Sequence, residues 1–134
     1  MAKLTTIEGI GPALADKLKG AGVGSVEKLL DTGKTKTGRK NLAASSGIEE
    51  KRLLRFVNYA DLMRIKGVGG EYAELLEAAG VDTVPELARR NAENLQAKMA
   101  EVNAEKKLVR ALAPVASVTK WVAQAKELGR VVEY

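Results

Sequence analysis

Apolar residues recur every third or fourth position along most of the chain, in runs separated by glycines. Leu14, Ala15, Leu18 and Ala21 form one such face, and Val26, Leu29 and Leu30 a shorter one. Leu42, Ala43 and Ala44 mark a small helix ending near Gly47. Leu53, Leu54, Val57, Ala60 and Leu62 make the inward side of a longer helix over residues 48–63. The same spacing returns at Leu95, Met99 and Val102, at Leu108, Val109 and Leu112, and at Val118, Trp121, Val122, Ala125 and Leu128. A period near 3.6 throughout, without alternating β-branched runs, predicts an all-α fold of about nine to ten short helices. Trp121 falls inside an apolar stripe, so it is expected to fill core rather than stack on a ligand.

The breaks between helices carry a second pattern. Ile7-Glu8-Gly9-Ile10-Gly11 is written again, 58 positions on, as Ile65-Lys66-Gly67-Val68-Gly69. At that offset Leu18 meets Leu76, Gly22-Val23 meets Gly80-Val81, Ser25-Val26 meets Thr83-Val84 and Leu29 meets Leu87. Matching continues through corner and cap, so the chain is expected to be an internal repeat. Pro12 suits a first helical turn, Gly22 a C-terminal stop, and Ser25, Thr83 and Ser117 helix caps. Beyond Asn91 the best alignment shifts to an offset of 55, pairing Leu53-Leu54-Arg55 with Leu108-Val109-Arg110. The expected division is residues 1–62 and 63–134, packed together as one compact unit.

Composition narrows the chemistry. There is no cysteine and no histidine among the 134 residues. Disulfides, thiolate metal sites and Ser-His or Cys-His catalysis are therefore excluded. No apolar run approaches a membrane span, and the N-terminal stretch lacks the apolar block of a secretory signal, so a cytoplasmic protein is expected. The formal charge is +5. Residues 1–62 hold 11 Lys+Arg against 7 Asp+Glu, and residues 63–134 hold 11 against 10. Most of the basic bias thus belongs to the first half, where Lys34-Thr35-Lys36-Thr37-Gly38-Arg39-Lys40 is expected to be a basic loop.

Each glycine pair stands directly before a helix-forming run, where backbone amides converge without side chains in the way. That is the arrangement of an anion site. Ile7 to Ala15 with Leu18 and Gly22, and again Ile65 to Gly80, resembles the helix-hairpin-helix family. With Asn91 to Leu95 and Val102 to Arg110 included, nearly the whole chain is similar to a small bacterial family of tandem helix-hairpin-helix proteins catalogued as a domain of unknown function. The resemblance implies a SAM-like, polymerase-type helical domain with pseudo-twofold symmetry. It also implies sequence-tolerant binding of double-stranded DNA, with amides at Gly9, Ile10 and Gly11 on a phosphate. Family hairpins can hold a monovalent cation through carbonyl oxygens; no other cofactor or metal is expected.

On that basis the candidate nucleic-acid residues are Gly9, Ile10 and Gly11, with Lys17, Lys19, Lys34, Lys36, Arg39 and Lys40 as point charges and Thr35 and Thr37 as further donors. Gly67, Val68 and Gly69 form a weaker second site, because Glu71, Glu74 and Glu77 follow without a Lys or Arg between Gly67 and Ala88. The alternative is a helical adaptor that docks a protein on that acidic surface. Relatives with base-excision chemistry would put a role on Lys17 or Asp31. This chain has no further domain to form a base pocket and no paired-carboxylate spacing, so no enzyme is expected.

Overall fold

The computed structural model describes residues 2–134. It is all-helical, with eight α-helices, one 3-10 turn and no strand among the described residues. The 3-10 turn spans Leu4–Thr6. It is followed by α1 (Pro12–Gly20), α2 (Val26–Gly33), α3 (Lys36–Ser46), α4 (Glu50–Leu62), α5 (Gly70–Ala78), α6 (Val84–Ala88), α7 (Ala92–Lys106) and α8 (Val115–Leu128). Two units are present. The first comprises the described residues up to Asp61 together with Val131–Tyr134, and the second runs from Leu62 to Arg130. The last four residues, which would trail the second half in a simple division, thus belong to the first unit.

In the first unit α1 begins at Pro12, whose missing N–H costs nothing there, and buries Ala15 and Leu18. Gly22, at φ 89°, ends it. Gly22 N donates to Lys19 O at 3.0 Å and Val23 N to Leu18 O at 2.8 Å, a Schellman closure with Val23 and Leu18 both buried beneath it. Ser25 then caps α2 by accepting from Lys28 N at 3.1 Å. Packing of α2 on α3 and α4 is close enough to exclude side chains: a Cβ on Gly38 of α3 would lie 2.1 Å from Thr32 O, and one on Gly33 2.5 Å from Val57 Cγ2 of α4. Along α4, Leu53, Phe56, Val57 and Ala60 are buried at i, i+3, i+4 and i+7.

The second unit contains the same backbone construction in α5 and its exit: Gly80, at φ 96°, donates to Glu77 O at 2.9 Å, and Val81 N to Leu76 O at 2.8 Å. At α6 the cap differs. Thr83 turns its hydroxyl to Glu86 Oε1 at 3.3 Å and makes no bond to the helix amides. Asn91 caps α7 by accepting from Asn94 N at 3.0 Å. Helix α8 packs on α6 and α7 and buries Val118, Trp121, Val122 and Ala125, the spacing found along α4.

Three expectations need correcting. Lys34 to Lys40 is not a loop: Thr35 accepts from Gly38 N at 2.9 Å and starts α3, so Lys36 onward is helical. Residues 107–114, expected to be helical, are not. Lys107 takes a left-handed φ of 51°, and Asn103 clamps Val109, accepting from its N at 2.9 Å and donating to its O at 3.2 Å. Ser117 lies inside α8; Pro114 occupies the cap.

Candidate nucleic-acid interface

In the first unit Ile7 to Ile10 form a type II turn, closed by Ile10 N donating to Ile7 O at 3.1 Å. The third turn position needs positive φ, and Gly9 supplies it at 93°. A Cβ there would also stand 3.1 Å from Phe56 Cε1. Ile7 and Ile10 are buried, so the turn is anchored by its apolar residues. Gly11 is different. Its φ of −88° and ψ of −177° suit any residue, and a Cβ on it would meet nothing within 4 Å.

Gly11 is the N-cap of α1, with Gly11 O accepting the first helical bond from Ala15 N at 2.9 Å. It has no side chain to fold back on the amides, unlike Ser25, Thr35 and Asn91 at α2, α3 and α7. The amides of Gly11, Ala13 and Leu14 are therefore left for an outside acceptor. Ile10 is not one of these donors, because its N–H is used inside the turn.

The second unit repeats the arrangement locally. Val68 N donates to Ile65 O at 3.0 Å and Gly67 sits at φ 98°, where a Cβ would lie 2.9 Å from Trp121 Nε1. Gly69, the N-cap of α5, has φ −93° and ψ −171°, with no atom within 4 Å of a would-be Cβ. Val68, like Ile10, contributes packing and no donor.

The basic residues of the first unit are dispersed. Lys17 and Lys19 are exposed on the last turn of α1, at the carbonyl end and away from its amides. Lys34 pairs with Asp31 at 3.4 Å. Arg39 is no surface charge: it is buried, and its guanidinium donates to Gly33 O at 2.8 Å, Lys34 O at 3.3 Å and Glu133 O at 2.5 Å. Lys36 and Arg39 share a hollow with Lys51 that includes none of Gly9, Ile10 and Gly11. Lys40 and Thr37 are exposed, and the Thr35 hydroxyl serves as the α3 cap.

The second unit holds cations that sequence order conceals. The connection after α7 returns to the first turn of α5, where the Tyr72 hydroxyl donates to Ala111 O. A hollow of about 510 Å³ there is lined by Glu71, Asn103, Lys107, Leu108, Val109 and Arg110. Lys107 and Arg110 lie more than thirty positions from the turn in sequence, so a local charge count passes them over; the Asn103 clamp fixes the backbone that carries them. At the other end of α5, burial and the neighbouring carboxylates of Glu86 and Glu77 raise the Asp82 pKa above its ordinary value.

A sequence-family model described as a domain of unknown function (DUF4332) matches residues 8–128. The chain belongs to this family. The DUF4332 match takes in all eight α-helices, the second turn and the first turn from Glu8 onward. No curated protein and no solved structure matches the chain. Among the described residues of this DUF4332 protein, no helix is long and apolar enough to cross a membrane, and no group of acidic side chains is placed to hold a metal ion.

Proposed function

We propose that this protein is a non-catalytic, sequence-tolerant nucleic-acid binder, acting mainly on double-stranded DNA through two helix-hairpin-helix elements. One observation carries the reading. Gly9 and Gly67 are required by the turns, whereas nothing in the protein's own packing requires glycine at 11 or 69. A bare N-cap keeps the helix amides open and lets a bulky anion come up to the backbone. A phosphodiester fits because it needs only donors and positive potential, and the amides of Gly11, Ala13 and Leu14 supply the first without reading sequence. Exposed Lys17, Lys19, Lys36 and Lys40, with Lys107 and Arg110 beside α5, supply the second.

Fluorescence anisotropy with a short duplex of arbitrary sequence tests this. Four or five neutralised phosphates give a slope of log K against log salt near −4. Absence of binding at low salt to duplex, single strand and RNA alike sinks the proposal. A sharper arm uses Gly11→Ser and Gly69→Ser. Serine is the better N-cap, so each variant is expected to keep or raise stability by a few tenths of a kcal/mol. Its hydroxyl would take the amides, so DNA affinity falls at the same time.

A second reading, a helical adaptor, draws on the acidic corner formed by Glu77, Asp82 and Glu86, whose mutual repulsion contributes to the raised Asp82 pKa. A basic partner surface would relieve that repulsion. A partner retained after nuclease treatment and released by combined Asp82→Asn and Glu86→Gln favours it; loss of every partner on nuclease treatment removes it.

A further inference from the structure

A hollow of about 260 Å³ lies within the first unit among α3, α4 and the tail, lined by Lys36, Arg39, Glu50, Lys51, Leu54 and Tyr134. Its walls differ in kind. Leu54 and the Tyr134 ring are apolar, and Tyr134 is 57% exposed yet held, its hydroxyl donating to Asn58 Oδ1 at 3.4 Å. The lining side chains carry three positive charges against one negative, a surplus of two. Lys36 and Lys51 are exposed, with no carboxylate at ion-pair distance among the described residues.

Arg39 makes the imbalance consequential. It is 5% exposed, and all three acceptors of its guanidinium are main-chain carbonyls. Carbonyl dipoles take three of its five N–H groups without neutralising its charge. A buried cation lacking a counter-charge raises the potential of the neighbouring space, where solvent screens it poorly. An anion entering the hollow meets that potential together with two mobile ammonium groups.

We propose that this hollow binds an aromatic phosphate monoester. The phosphate lies between Lys36 and Lys51 in the field of Arg39, and the ring lies against Leu54 and Tyr134. Charge selects the headgroup, since a phosphate monoester carries close to two negative charges at neutral pH and meets two ammonium groups as well as the field of Arg39. The apolar wall selects the ring, which stacks on tyrosine or packs on leucine. Glu50 on the rim disfavours a continuous run of phosphates, so this is a site for one end group. It shares no residue with the turns; Lys36 alone is also counted among the charges toward DNA, so the titration is read without DNA present.

The test is titration of the full-length, 15N-labelled protein with phenyl phosphate, inorganic phosphate and benzyl alcohol, followed by amide shifts. Phenyl phosphate is expected to move Lys36, Lys51, Leu54 and Tyr134 and to bind about tenfold more tightly than inorganic phosphate; benzyl alcohol at equal concentration moves none of them. Lys36→Ala and Lys51→Ala, both at exposed positions, should each weaken phenyl phosphate about tenfold with an unchanged melting temperature. Tyr134→Ala should abolish the preference for phenyl phosphate over phosphate. Equal affinity for the two phosphates, shifts confined to Gly9–Leu14 or to Lys107–Arg110, or a Lys51→Ala variant that binds as well as the parent would each overturn the proposal.

Discussion

Two glycines in each turn look alike in sequence and do different work. Gly9 and Gly67 hold positive φ against an aromatic ring, so alanine at either is expected to cost about 1–2 kcal/mol from the left-handed backbone alone, with more from the ring contact. Chemical denaturation of Gly9→Ala and Gly67→Ala beside the Gly11 and Gly69 variants checks the contrast. Asp82 adds a pH signature. Its folded pKa is raised, so the stability it contributes is fully present below the unfolded value and lost as pH rises through the folded one. Asp82→Asn should therefore raise the melting temperature at pH 7 and leave it unchanged below about 3.8, the ordinary aspartate value. Glycine spacing made the turns legible, because a type II turn before a helix imposes a local pattern. The burial of Arg39 was not legible. Local composition counts charge, and the carbonyl that completes its shell comes from Glu133, 94 positions away.

At the scale of elements, local caps were written plainly and tertiary returns were not. Ser25, Gly22, Gly80 and Thr35 act as their types predict. Residues 36–40 are helical because the Thr35 cap, and not the run of four cations, decides the backbone there. The apolar residues of 107–114 carry helical spacing, yet Lys107 and Pro114 bracket the segment with backbone that cannot continue a helix. Arg39 stands four residues after its cap, where α7 places the buried Leu95 four after Asn91. Arg39→Ala should strand three carbonyl acceptors and destabilise the first unit by about 2–4 kcal/mol, read from its denaturant midpoint. Removing Val131–Tyr134, which takes away the buried Val132 and the Glu133 acceptor, should cost a similar amount.

For the molecule as a whole, the charge asymmetry read from the two halves is a poor guide to where anions would be met. The first half has the larger surplus, but Arg39 is enclosed and Lys34 is paired, whereas Lys107 and Arg110 stand exposed at the first turn of α5. If both turns meet phosphates, Lys107→Ala with Arg110→Ala should lower the salt slope by about two, as much as any pair from the first unit. An unchanged slope would confine DNA to the first turn. That the fold is all-helical followed from the 3.6-residue period and the lack of alternating β-branched runs; which cations share a surface depended on chain returns that no period encodes.

The tail also bears on how the protein is made. Glu133 N donates to Lys34 O at 2.7 Å, and Glu133 O receives Arg39. Residues 2–61 leave the ribosome before residues 62–130, yet the unit they build lacks a wall until Val131–Tyr134 emerge. Until then Arg39 has one carbonyl too few and the seat of Val132 is open to water. Of the two units, the one begun earlier is thus completed later, and a ribosome stalled at Arg130 would hold it short of its full stability.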